Sequence, residues 1–176
     1  MKKLILLLLF LSLSGCKEKT STIPTFNIPT NLKETAKFIK TVDGDTLKIV
    51  YDNVTQNIRL IGIDTPESKI NAKAKKDAAK LHIPVEKLVA QGVVASVYTS
   101  SLIPSKSTLY VEFDKQKTDQ YKRLLGYVYV NDKMLNSTII NDGYAKPMTI
   151  KPNTKYSKDF TAMYKQAVKD KKGLWK

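Results

Sequence analysis

Asp43-Gly44-Asp45-Thr46, and after it Arg59-Leu60-Ile61-Gly62-Ile63-Asp64-Thr65-Pro66-Glu67, is the stretch whose reading decides the fold. Asp43-Gly44-Asp45 interrupts two apolar runs as a tight turn does, and glycine there permits a positive φ. Thr46 to Tyr51 then alternates, with Leu47, Ile49 and Tyr51 on one face and Lys48 on the other, which predicts a half-buried strand. Gln56 to Ile63 reads as its antiparallel partner, returning across a turn at Asp52-Asn53. On that pairing Asp45 starts one strand and Asp64 ends the next, so both carboxylates reach the same edge, with Glu67 just beyond. Hard oxygen ligands gathered at one point suit Ca²⁺ or Mg²⁺. A lone aspartate in a turn is more often a turn former or a cap. Three carboxylates beside one guanidinium are harder to read that way.

Arginine usage sharpens the point. The chain has 30 basic residues, of which only Arg59 and Arg123 are arginines. A guanidinium is a planar fork that grips phosphate with two hydrogen bonds, which a lysine ammonium cannot do. The alternative reading of the two arginines is a pair of structural salt bridges.

The motifs Val42-Asp43-Gly44-Asp45-Thr46, Arg59-Leu60 and Asp64-Thr65-Pro66-Glu67 closely resemble the staphylococcal nuclease (thermonuclease) family. So do Val111-Glu112-Phe113-Asp114, Thr118-Asp119-Gln120-Tyr121-Lys122-Arg123, Lys133-Met134-Leu135-Asn136, Gly143-Tyr144-Ala145-Lys146 and Leu174-Trp175. The likeness runs from about Ala36 to Trp175. It implies an α+β fold, a five-stranded, partly open OB-type Greek-key β-barrel with three or so packed helices. It also implies a Ca²⁺-dependent phosphodiesterase, endo- or exonuclease, that cuts DNA and RNA to 3′-phosphate products. By the same resemblance Asp45 and Asp64 ligate Ca²⁺ by carboxylate and Thr65 by its backbone carbonyl. Glu67 orients or deprotonates the attacking water, Arg59 bridges the phosphate, and Arg123 assists the transition state and the leaving 5′ oxygen. Asp119 and Tyr121 shape the adjacent phosphate pocket.

There are departures from the family. Gln120 stands where a lysine is frequent, Pro147-Met148-Thr149-Ile150 lacks the tyrosines that stack on a base, and about thirteen extra residues lie between Glu67 and Phe113. These bear on substrate affinity and leave the catalytic set intact. The rival reading is a non-catalytic nucleic-acid-binding OB-fold surface lipoprotein, but such a protein would be free to lose Glu67 or Arg123. A structural surface lipoprotein would leave both motifs unexplained.

Outside the motifs, residues 1–15 read as a lipoprotein signal peptide, with Lys2 and Lys3 before the apolar run Leu4 to Leu11. Leu13-Ser14-Gly15-Cys16 resembles a lipobox, which implies lipidation of Cys16. The expected location is then the outer face of a bacterial cell membrane, with shedding or secretion as alternatives. Cys16 is the only cysteine, so no internal disulfide is possible. Residues 16–35 are expected to be the lipidated cysteine and a flexible tether, reaching roughly 20–25 Å, and residues 36–176 the nuclease-like domain. The net charge is +14, or +12 without Lys2 and Lys3. Such a charge favours polyanions, and anionic lipid equally. DNA, RNA and the membrane are the expected partners of a monomer.

Helices are predicted within Ser68 to Leu81, which reads as a mobile loop leading into a lysine-rich solvated helix, and from Pro84 onward. The second should face the barrel with Val85, Leu88/Val89, Gly92/Val93, Ser96/Val97 and Leu102/Ile103. Strands are expected at Leu109 to Phe113 and Leu124 to Val130, and helices at Met134 to Asn141 and Tyr156 to Lys172. The last should turn Phe160, Met163/Tyr164 and Ala167/Val168 inward, with Trp175 as a core anchor. His82, the only histidine, is read as a helix-end residue, which leaves no histidine for catalysis.

Overall fold

Asp52 and Asn53 both take left-handed backbone, φ 53° and 61°, and turn the chain in a two-residue hairpin loop. That hairpin joins β2 (Thr46–Tyr51) to β3 (Val54–Leu60), with Thr46 opposite Arg59. The computed structural model that describes them covers Pro24, residues 26–32 and residues 34–176. The expected signal peptide and Cys16 lie outside the described residues.

β1 (Thr35–Asp43) pairs with β2 and with β5 (Thr108–Glu112), and β5 pairs with β6 (Leu124–Val130), all antiparallel. β6 then returns beside β3 in parallel, with Arg59 opposite Leu125. This last pairing closes a five-stranded barrel in the order β3-β2-β1-β5-β6, where a partly open one was expected. Inward residues such as Leu47, Ile49, Ile58, Leu109, Val111 and Val128 are fully buried. Each contributes roughly 1.5–3 kcal/mol of transfer free energy.

The predicted strand Gln56 to Ile63 is in fact two. Gly62, at φ 84°, breaks it, and β4 (Gly62–Asp64) leaves the barrel to pair with β8 (Lys146–Met148). A side chain at Gly62 would also meet the Phe160 ring at 2.6 Å. The buried Asn136 secures the break. Its Oδ1 accepts from the Val128 amide at 3.0 Å, and its Nδ2 donates to the Ile61 carbonyl at 2.9 Å. Asp64 therefore sits on a separate short ribbon and still comes beside Asp45.

Four α-helices pack around the barrel: α1 (Ala72–Leu81), α2 (Val85–Ser101), α3 (Leu135–Asn141) and α4 (Ser157–Lys169). β7 (Lys133–Met134) leads into α3 from β6. α2 turns its small residues inward. Leu88, Gly92, Ala95 and Thr99 are buried, whereas Val93 and Val97, predicted to face the barrel, are exposed, Val97 by 63%. Close approach of the helix backbone explains this, because a Cβ on Gly92 would lie 2.1 Å from the Glu67 carbonyl oxygen. On α4, Phe160, Met163 and Ala167 face inward as expected, but Val168 is exposed. Trp175 is half-buried on the edge of Tyr164 rather than inside the core. Among the described residues no helix is long and apolar enough to cross a membrane.

The end of the expected tether is docked on the domain. Phe26, Ile28 and Leu32 pack against the core, and the Phe26 ring meets Tyr156 edge-on at 4.9 Å between centroids. The Met134 amide donates to the Phe26 carbonyl at 3.0 Å. Composition suggested flexibility there, but three apolar side chains between Phe26 and Leu32 are enough to lay the segment down.

Candidate active site

The turn at Gly44 forms, although for a different reason from the one expected. Gly44 is not in the left-handed region; it is small because a Cβ would lie 2.8 Å from the Thr65 hydroxyl. Thr99 of α2 donates its hydroxyl to the Gly44 carbonyl at 2.7 Å and fixes the turn from behind. Asp45 follows, buried, and its Oδ2 accepts from both the amide and the hydroxyl of Thr65, at 2.9 and 3.1 Å. Asp43 also belongs to this knot. Burial pushes its carboxyl above the usual range, and Asp45 and Glu67 add to the effect, against the Gly44 amide that stabilises the charge.

Arg59, 8% exposed, lies across the carboxylates. Its Nη2 is 3.0 Å from Asp45 Oδ2 and 3.2 Å from Asp64 Oδ1. Its Nη1 donates to the carbonyls of Leu60 and Ile63 at 2.9 and 2.8 Å. Both aspartates thus reach one cationic nitrogen, which is the convergence that the sequence implied. Glu67 stands next to them. Asn71 donates to its Oε2 at 2.8 Å, and Gly92 of α2 backs its main chain.

Two lysines complete the rim. Lys146 Nζ is 3.4 Å from Asp64 Oδ2. Lys73 Nζ is 3.4 Å from Asp64 Oδ1 and 3.1 Å from both Glu67 Oε1 and Asp77 Oδ2. Burial would lower the Lys73 pKa, but the Asp64 charge and the other carboxylates outweigh it and hold it above the normal lysine range. Composition does not single out this contact, since Lys73 looks like its solvated neighbours Lys75 and Lys76. Only the i, i+4 spacing to Asp77 and the Asn71 cap at the start of α1 hinted at which lysine turns inward.

Arg123 comes from the loop before β6, across the cleft. Its Nε donates to Asp119 Oδ2 at 2.7 Å, while Asp119 Oδ1 accepts from the amides of Tyr121 and Arg123, each at 2.9 Å. Burial alone would raise the Asp119 carboxyl; the hydrogen bonds and charge of Arg123 win and hold it below the usual range. The Tyr121 ring is 70% exposed and lies 5.5 Å from the Arg123 guanidinium. Arg59, Asp119, Tyr121 and Arg123 line one cleft of about 330 Å³, together with Met148 and Ile150. Asp45, Asp64, Thr65 and Glu67 stand at the Arg59 end of it, joined through the contacts above.

Whether this rim fits a divalent cation is a matter of its donors. Among the described residues no three His, Cys, Asp or Glu side chains converge tightly enough to form a ready cage. The rim nevertheless holds cations already. Arg59 bridges Asp45 and Asp64, and Lys73 bridges Asp64 and Glu67, so positive charge has a place between all three acids. Carboxylate oxygens with few protein ligands are the donor set of an open Ca²⁺ site.

An OB-type barrel carrying acids on one rim and two arginines about one cleft is the arrangement of a hydrolase of the nuclease class. The chain belongs to the family of staphylococcal nuclease homologues, which it matches over residues 57–176. It is similar to a thermonuclease of Staphylococcus hyicus, 34% identical over 143 residues that cover 81% of this chain and 76% of the relative. It is also similar to endonuclease YncB of Bacillus subtilis, 33% identical over 138 residues, 77% of this chain and 59% of that protein. A thermonuclease of Staphylococcus intermedius is 31% identical over 136 residues, 77% of this chain and 73% of the relative.

Proposed function

We propose that the chain is a Ca²⁺-dependent nuclease that hydrolyses DNA and RNA to 3′-phosphate products, anchored on the outer face of a bacterial membrane through a lipidated Cys16. The observation that carries the reading is the meeting of Arg59 with Asp45 and Asp64 at one end of the cleft that Arg123 enters from the other.

Asp45, Asp64 and the Thr65 carbonyl would hold the Ca²⁺, which supplies charge neutralisation at the scissile phosphate. Glu67, kept in place by Asn71 and by the small residue behind it at Gly92, accepts a hydrogen bond from the attacking water and aligns it. Arg59 is tied through Nη1 to two carbonyls, so its guanidinium plane is preset toward the cleft. Arg123 commits only Nε to Asp119 among the described residues, which leaves its terminal N–H groups for the phosphoryl oxygens. Water adds to phosphorus, the 5′ oxygen departs and takes up a proton, and the phosphate stays on the 3′ side.

Digestion of plasmid and RNA by the purified protein tests this. Cleavage with millimolar Ca²⁺, loss with EGTA, and ends that a polymerase extends only after phosphatase treatment are the expected results. Full activity in excess EGTA overturns the metal assignment. Binding without cleavage, in Ca²⁺, makes the chain a nucleic-acid-binding module instead. For the anchor, Cys16→Ser should release the protein from the membrane fraction; an unchanged distribution refutes lipidation.

A further inference from the structure

We infer that Lys73 is a built-in competitor for the metal: its ammonium holds Asp64 and Glu67 in the metal-free protein and must leave before a divalent cation binds. The inference rests on the Ca²⁺ reading above and concerns what sets the affinity of that site.

Three observations place Lys73 in this role. First, α1 is keyed to the site by its first residues. Asn71 caps the helix by accepting from the Ala74 amide at 2.8 Å, and the same side chain donates to Glu67 at 2.8 Å. The helix therefore starts at a fixed place over the acids, and Lys73 falls between Asp64, Glu67 and Asp77. Second, the Nζ atom is shut off from solvent and lies within 3.1–3.4 Å of three carboxylates. An ammonium in such a place is sited by the carboxylates as a bound ion is. Third, its stem is 41% exposed, so the side chain has a way out that needs no movement of α1. Four rotatable bonds can carry the charge to water while the helix stays docked.

Arg59 and Lys146 also touch Asp64, but neither touches Glu67. Arg59 is fixed by two carbonyls, and Lys146 reaches one carboxylate only. Lys73 alone among the described residues links an acid assigned to the metal with the acid assigned to the water. The consequence is a site charge-balanced at rest, whose acids do not repel one another, and which only a cation of higher charge displaces.

Titration calorimetry and thermal melts on the purified protein test this, comparing Lys73→Met with Lys75→Met, which removes the same charge from the exposed face of α1. In Lys73→Met the metal-free melting temperature should fall while the Ca²⁺ Kd tightens about tenfold, as a like charge beside the ion is lost from a partly buried site. In Lys75→Met solvent screening should keep the change in Kd below about twofold. A merely structural lysine would lose stability without gaining metal affinity. Should Lys73→Met fold poorly, Lys73→Gln carries the same comparison. If the Lys73 and Lys75 variants bind Ca²⁺ alike, the competitor role is wrong and the metal site stands. If no protein in the set takes up Ca²⁺, the metal site falls, and this inference with it.

Discussion

The two arginines live in opposite surroundings. Arg59 is buried, contacts two carboxylates and two carbonyls, and belongs to the barrel wall. Arg123 has a side chain one-third exposed, pairs among the described residues with Asp119 alone, and belongs to a loop. Both are placed at the same cleft, so one chemistry is supported by two kinds of order. The first comes from packing that also folds the domain; the second comes from a local hydrogen-bonded turn that the fold scarcely needs. Stability and activity should therefore be coupled at Arg59 and separable at Arg123.

The sharpest way to break that contrast is removal of charge at each position. Arg59→Met leaves Asp45 and Asp64 buried with their shared partner gone, and should destabilise the domain by about 3 kcal/mol or more, with activity abolished. A urea melt that moves by less than about 1 kcal/mol would show that the rim tolerates its own repulsion. Arg123→Lys keeps the charge and loses the fork. It should cost roughly 2–4 kcal/mol in kcat/KM with the melt almost unchanged. Equal losses of stability in the two variants would erase the distinction.

Gly92→Ala probes the packing side from a distance. The new Cβ must push back the Glu67 main chain, at a cost of about 1–3 kcal/mol in stability. Turnover should fall more than DNA affinity does, which steady-state kinetics beside a binding titration would reveal. The smallest effect is expected on the loop side. Ile150 is 61% exposed on the cleft that Tyr121 also lines. Ile150→Tyr should lower KM for a trinucleotide by roughly 1 kcal/mol equivalent, with kcat unchanged, as added stacking acts on bound states alike. An unchanged KM would mean that Tyr121 already supplies the platform.

The barrel strands and the Asp52-Asn53 hairpin were legible because alternation carries them, and the residues of the cleft through the family resemblance of their motifs. What escaped has a common cause. Gly44, Gly62 and Gly92 were visible as glycines, but which surface each must admit depends on Thr65, Phe160 and Glu67, distant in the chain. The outward Val93 and Val97 follow from the Gly92 contact, since a helix that presses its backbone on a neighbour buries its small side and exposes its large one. Lys73 was one lysine among many, and only the position of α1 distinguishes it. Phe26, Ile28 and Leu32 sat in a polar stretch whose composition spoke louder than its three apolar residues.

The parallel contact between β3 and β6 has one more consequence. It joins segments separated by two helices and two strands, so it belongs to the slow, long-range part of folding. Until it forms, the arginines are strangers and no cleft exists. The cleft is thus completed only when the barrel closes.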